Sequence, residues 1–192
     1  MVSILIDDEL LLRSFEPEDA QELFRAIDAS RTHLRPWLPW VDMSTKPEHT
    51  LEFIQRSKAL QHQQEAIALG IIYNRSIIGG IGMHNHDRIL KKAQLGYWIS
   101  KEYEGKGIIQ KSLDAFLDFL FGKLGLNKVE IHFMTGNRRS AHVAERAGFK
   151  VEGIIRQSYL MNGAYHDVVV TGMLKNEWPG LPQKKAEQFR PT

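Results

Sequence analysis

Apolar residues along this chain recur with two periods, and the switches between them mark out the elements. Leu10 to Phe15 reads as a first strand. "EPEDA" then opens a helix, with Pro17 near the first helical position, acids in the first turn, and Leu23, Phe24 and Ile27 as its buried face. The segment "RTHLRPWLPW", residues 31–40, carries two prolines and two tryptophans and cannot be one regular element. A second helix is predicted from about Pro47, with Leu51, Phe53, Ile54 and Leu60 as its apolar positions. "EAIALGIIYN" and "SIIGGIGMHN" flank the turn "NRS" and read as a β-hairpin, and "QLGYWIS" is the next strand.

From Gly107 the period changes. Ile109, Leu113, Phe116, Leu117 and Leu120 share one helical face, and "LGLN" closes that helix. "KVEIHFM" returns to alternation through Val129, Ile131 and Phe133, and "SAHVAERAGF" is a short helix after the loop "TGNRR". The chain then forms "FKVEGIIRQSYL" and "AYHDVVVTGML", joined at Asn162-Gly163, the strongest hairpin-turn signal present. The order is β-α-α-β-β-β-α-β-α-β-β. Strand, helix and strand over residues 95–134 require one parallel crossover, whereas the hairpins on either side are antiparallel. The expected class is α/β, or α+β in some schemes: a mixed, mostly antiparallel, twisted sheet of about six to seven strands with helices on both faces. No repeat or linker divides the chain, so residues 1–180 read as one domain and residues 181–192 as a polar tail.

Composition narrows the chemistry. The 192 residues contain no cysteine, which excludes disulfides, thiolate metal sites and cysteine nucleophiles. The N-terminal stretch lacks a basic region and meets Asp7 and Asp8 too soon for a secretory signal, and no apolar run has membrane-span length. A cytoplasmic protein with no membrane partner is the expectation. The formal charge is only +2, without the continuous basic stripe of a nucleic-acid binder. Basic spots at Arg138-Arg139, Lys91-Lys92 and Lys184-Lys185 still suffice for a phosphorylated small molecule.

The stretch Glu104-Gly105-Lys106-Gly107-Ile108-Ile109 lies at a strand-to-helix junction. It is not a P-loop, because Gly107 is followed by Ile108-Ile109, and a dinucleotide fingerprint would need glycine where Gln110 stands. Glycines there would let backbone N–H groups and the helix terminus approach a pyrophosphate. Two glycines easing a tight turn is the plainer alternative.

Together with Asn137-Arg138-Arg139-Ser140 and Ala147-Gly148-Phe149, this turn resembles the first motif of the GNAT acetyltransferase superfamily. The pattern Gln/Arg-x-x-Gly-x-Gly/Ala reads here Glu102-Tyr103-Glu104-Gly105-Lys106-Gly107, with Glu102 replacing the leading Gln or Arg. Within the superfamily, "LRPWLPW", "LGYWI" and "N-x-x-S…E-x-x-GF" are similar to the RimJ/RimL branch, which acetylates ribosomal-protein N-termini. The likeness covers about residues 8–178. It implies a three-layer GNAT-like fold and acetyl-CoA as cosubstrate, without a metal. The turn from Glu104 to Ile109 would hold the pyrophosphate, and Tyr97, Trp98, Ile99 and Ser100 would pair with the pantetheine arm. Asn137 would orient that arm. An oxyanion donor is implied among the backbone N–H groups of Trp98-Ile99. Related enzymes are often dimers, so a homodimer is a further implication.

The reaction asks for three more functions. The amine must lose a proton, the oxyanion needs a donor, and the departing thiolate benefits from an acid. The tyrosine that many superfamily members use as acid is replaced here by Ala144, and RimL-like members offer instead the serine that is Ser140 in this chain. Ser140 would act on the thiolate, or cap a helix starting at Ala141. Candidates for the base are Glu102, His84, His86 and Glu152, and a water relay would need none of them. His84-Asn85-His86 has metal-ligand residue types but no third ligand spaced to join them, so a solvated loop is the better reading.

Trp37 and Trp40, three apart between prolines, would wall a substrate pocket, pack a core end, or do both. Tyr159 on the final hairpin is placed beside the same pocket. The expected activity is acetyl transfer from acetyl-CoA to a primary amine by direct attack in a ternary complex, with a protein or peptide N-terminal α-amino group as favoured acceptor. A polyamine or antibiotic amine is the enzymatic alternative, and a non-catalytic coenzyme A-binding sensor the alternative from another class.

Overall fold

The computed structural model describes residues 1–180; the expected polar tail at 181–192 lies outside the described residues. The chain opens with β1 (Ser3–Leu5), β2 (Leu10–Ser14), α1 (Ala20–Ala29), α2 (Arg31–Leu34) and α3 (Pro47–His62). A hairpin of β3 (Ile67–Tyr73) and β4 (Ser76–Asp87) precedes β5 (Lys92–Ile99) and α4 (Ile108–Asp118). The second half holds β6 (Lys128–Met134), α5 (Arg138–Ala147), β7 (Lys150–Met161) and β8 (Ala164–Leu174).

These strands form one eight-stranded sheet in the order β1-β2-β3-β4-β5-β6-β8-β7. The count is eight rather than six to seven because β1 was not foreseen. Three residues with one half-buried side chain carry no readable alternation. What holds β1 is pairing with β2, Ser3 opposite Arg13, and the Ser14 N–H donating to the Val2 carbonyl at 2.9 Å. Both predicted hairpin turns are present. Asn74 and Arg75 have φ of 48° and 68°, and Asn162 and Gly163 have 50° and 78°, the left-handed pairs that match the strand twist.

The two faces of the sheet are covered differently. On one, Leu69, Ile81, Leu95, Val129 and Ile131 meet Leu113, Phe116 and Leu117 of α4 and Ala144 of α5. Phe116 is fully buried, and truncation to Ala would cost about 3–5 kcal/mol. On the other, Phe15, Ile72 and Ile77 meet Leu23 and Ile27 of α1 and Ile54 of α3, with Trp40 and Trp98 against them. This second cluster includes no residue of β6, β7 or β8. Phe53, expected in the buried stripe of α3, is 37 % exposed and touches Phe15 edge-on instead. The tryptophan segment splits, as its prolines require, into α2 and a 3₁₀ turn at Pro39–Asp42.

One topological feature positions the site. Parallel pairing of β5 with β6 runs from Lys92↔Lys128 only to Leu95↔Ile131. Beyond that point β5 keeps β4 alone, up to Gly79↔Ile99, while β6 continues along β8 to Met134. The sheet forks in its middle.

Candidate active site

Four residues at the C-terminal end of β5 border the fork. The Ser100 N–H donates to the Ile78 carbonyl of β4 at 2.7 Å. Antiparallel alternation then turns the Trp98 N–H toward β4 as well, and turns Tyr97 and Ile99 toward the gap. Their backbone groups form an unpaired strand edge inside the molecule, of the kind that accepts an extended ligand as an extra strand.

Past the fork lies the glycine turn. Gly105 and Gly107 have φ of 76° and 75°, and a Cβ on either would meet nothing within 4 Å. Both therefore need glycine for conformation rather than for packing. Gly107 caps α4 without any side-chain hydrogen bond, which leaves the first-turn N–H groups of Ile108, Ile109 and Gln110 available to an anion. The Ile108 side chain is buried and that of Ile109 half-buried against the core, so these residues anchor the helix and offer only backbone to a ligand. Lys106 places its ammonium over the Tyr103 ring, 4.9 Å from the centroid.

The mouth of the fork opens into a cavity of about 610 Å³ lined by Thr32, His33, Trp37, Lys101, Asn137 and Arg139, among others. Glu104, beside the glycine turn, ties its rim together. It lies 2.5 Å from Arg139 Nε, 3.7 Å from His33 Nε2 and 3.9 Å from Lys101 Nζ. His33 is held below the usual histidine range, first by burial and then by Arg139 and Lys101, against the opposite pull of Glu104. The rim is basic, with one carboxylate at its centre.

On the side of α5, Tyr97 reaches Ser140: the two hydroxyl oxygens are 3.0 Å apart. Burial pushes the Tyr97 phenol up to about 12, so it stays protonated and able to donate. The helix begins at Arg138, and its cap is Asn137, whose Oδ1 accepts the Ser140 N–H at 3.1 Å. Ser140 is thus the third helical residue, and the cap role belongs to Asn137.

An unpaired strand edge, a glycine-capped helix terminus and a basic cavity at one fork suit a phosphorylated, extended cosubstrate. The Acetyltransferase (GNAT) domain family matches residues 9–150 of the chain. The chain belongs to this family. It is an N-acetyltransferase, with acetyl-CoA as its acetyl donor. The YdaF protein of Bacillus subtilis (strain 168) is 35% identical over 181 residues, covering 94% of this chain and 99% of the relative. The ribosomal-protein-serine acetyltransferase of Escherichia coli (strain K12) is 28% identical over 166 residues, 86% of this chain and 93% of the relative. Among solved structures, RimL, a ribosomal L7/L12 alpha-N-protein acetyltransferase in complex with coenzyme A, superimposes with a TM-score of 0.88. It is 25% identical, and the match covers 92% of this chain and 99% of RimL.

The acetyltransferase brings some predicted site residues together and separates others. Tyr97, Ile99, Glu104 to Ile109, Asn137 and Ser140 border the fork or its mouth, whereas Trp98 and Ser100 turn their backbone N–H groups to β4 instead of the pantetheine path expected of them. Trp37 lines the cavity, whereas Trp40 packs edge-on against Trp98 at 6.1 Å and belongs to the core. Glu102 is exposed in the 3₁₀ turn Lys101–Tyr103 and does not line the cavity. Tyr159 pairs with His166 on the final hairpin and does not line it either. His86 Nδ1 lies 2.7 Å from the Gln64 carbonyl, and Glu152 is bound by Lys128 at 2.6 Å. His84 stands on the open face of the sheet, its Cε1 3.7 Å from where a Gly96 side chain would begin. Among the described residues no group of three or more His, Asp or Glu could hold a metal ion.

Sequence reasoning missed the Tyr97 hydroxyl, the Glu104 cluster and the polar half of β6. Glu130 and His132 alternate with Val129, Ile131 and Phe133, so only the apolar period of that strand was read. The polar period was equally present in the sequence.

Proposed function

We propose that the acetyltransferase modifies the N-terminal α-amino group of a protein or peptide, of the kind found on ribosomal proteins. The observation that carries this reading is the likeness over nearly the full chain to enzymes named for ribosomal-protein acetylation. The open sheet face beyond Trp98 supports it, since an extended peptide end can reach the fork there without displacing a helix.

Pantetheine runs along the Tyr97–Ile99 edge, and the pyrophosphate sits on the N-terminus of α4 at Gly105-Lys106-Gly107, with Asn137 beside the arm. The amine attacks the thioester carbonyl directly in the ternary complex; with no cysteine in the chain, an acetyl-cysteine intermediate is excluded. An N–H of Tyr97 or Ile99 receives the oxyanion, because these donors face the gap. The Ser140 hydroxyl, backed by the Tyr97 phenol, donates to the departing thiolate.

The test is acetyl transfer from acetyl-CoA to peptides beginning with Ser or Ala, run beside the same peptides with a blocked N-terminus and beside spermidine. Turnover of the free peptides alone is expected. Acetylation of spermidine with no turnover on any peptide would replace this acceptor by a small amine.

A further inference from the structure

The open face of the sheet carries a constellation that the assignment above does not use. Glu130 and His132 of β6 point to the face opposite α4 and α5, since Val129 and Ile131 belong to the helix-covered core. His132 is the first residue of β6 after the last pairing with β5, so it stands at the fork. Across the fork, His84 of β4 lies over Gly96 of β5.

Gly96 separates this place from ordinary packing. Gly70, Gly79, Gly80 and Gly82 of the same sheet are compelled, because a Cβ on each would come within 2.8 Å of a neighbouring atom. A Cβ at Gly96 would meet only His84 Cε1, at 3.7 Å, an ordinary contact. Nothing in the protein itself requires glycine there. Its bare backbone leaves a gap between two histidines where the strands part.

The tautomer of His132 follows from its partner. Its Nε2 lies 3.1 Å from Glu130 Oε2. Burial raises the Glu130 carboxyl, but Lys128, Lys92 and His132 outweigh it and hold the group below its ordinary range, so it is ionised at neutral pH. A carboxylate only accepts, so Nε2 carries the proton and Nδ1 presents a lone pair. No hydrogen bond to Nδ1 is made among the described residues.

We propose that His132, oriented by Glu130, is the general base for the acceptor, and that the gap over Gly96 is where the amine stands. This rests on the amine-acetylation reading above. Nδ1 takes one proton from the substrate ammonium, directly or through one water. The freed amine forms the C–N bond to the acetyl carbon. Collapse of the oxyanion breaks the C–S bond, and the second N–H proton reaches the thiolate through the Ser140 and Tyr97 hydroxyls. The imidazolium later returns its proton to water, so one ammonium and one thioester yield amide, thiol and one proton. Glu130 acts through His132 and is a positioning residue. Of the charged and titratable groups around His132, Glu130 on its own strand contacts it and His84 on β4 interacts with it across the fork, while Lys92 on β5 and Lys128 pair with Glu130 and Glu152 on β7 pairs with Lys128. From β8 come Val170 and Gly172, opposite His132 and Glu130, which do not titrate.

The experiment uses whichever amine the wild type acetylates, so a wrong acceptor class and a wrong base give different results. His132→Gln keeps a donor for Glu130 but accepts no proton at pH 7; kcat falls roughly 100-fold. Coenzyme A affinity stays within twofold, and the acidic limb of the pH–rate profile disappears. Glu130→Gln shifts that limb to lower pH, and Gly96→Val raises the acceptor KM at unchanged coenzyme A affinity. Imidazole 15N spectra show His132 as the Nε2–H tautomer independently of turnover. Full activity of His132→Gln, loss of the limb in His84→Gln instead, or an Nδ1–H tautomer would overturn the proposal.

Discussion

The Tyr97 hydroxyl lies 3.0 Å from Ser140 Oγ and bridges the end of β5 to the first turn of α5. A phenol kept protonated by burial is a donor at every physiological pH, and it leaves the serine hydroxyl free to donate onward. Ser140→Ala and Tyr97→Phe should each lower kcat about tenfold while coenzyme A affinity changes less than threefold. The double variant should be little worse than either single one, because the hydroxyls act in series. Steady-state kinetics with isothermal titration decide this. Unchanged kcat in Ser140→Ala would remove the serine from the reaction.

Gly107 combines a left-handed φ of 75° with open space in front of it. A β-branched residue there is strained by about 1–2 kcal/mol and projects over the first N–H groups of α4. Gly107→Val should weaken coenzyme A binding by on the order of 100-fold, about 2.7 kcal/mol. Desulfo-coenzyme A should lose as much, since the damage falls on the pyrophosphate and spares the sulfur. Unaltered affinity in a folded variant would place the pyrophosphate elsewhere.

Glu104 holds Arg139, His33 and Lys101 around itself at the rim of the cavity. An anionic cosubstrate competes with that carboxylate for the same cations. Glu104→Gln should tighten coenzyme A binding a few-fold at low salt, and the gain should shrink as salt screens the rim. Weaker binding in this variant would mean that the carboxylate positions the cations the ligand needs.

Asp19 accepts from both Arg13 nitrogens, at 2.6 and 2.9 Å, and from the Glu16 N–H at 2.8 Å. Burial raises its carboxyl, but these donors outweigh it and the net direction is down. A depressed carboxyl stabilises the fold above its unfolded value of about 3.9, and that stability is lost as pH falls through the lower folded value. Asp19→Asn should cost about 1–3 kcal/mol at pH 7. The difference should close as pH falls below about 4. Denaturant unfolding at several pH values measures it, and a pH-independent difference would point to lost packing instead.

Much of this protein is legible in its sequence because the signals are local. Apolar periodicity set seven of the eight strands and the four longer helices, and Asn162-Gly163 and Asn74-Arg75 dictated their turns through backbone preference alone. The glycine turn at residues 105–107 was readable for the same reason: a left-handed cap before a helix needs glycine wherever it occurs. Strand β1 was not, because its stability comes from pairing with β2.

What only the tertiary structure decided is where side chains from distant segments meet. Trp37 and Trp40 look equivalent in the sequence, yet one lines the cavity and the other packs on Trp98, because extended Leu38 and the 3₁₀ turn that starts at Pro39 come between them and turn them apart. Tyr97 and Ser140, 43 positions apart, become one hydrogen-bonded pair only when β5 and β6 diverge and α5 folds back over the gap. Glu104, His33 and Arg139 converge for the same reason. Periodicity reports which face of an element is buried. The fork is a relation between elements, set by where their pairing stops, and no single segment encodes it.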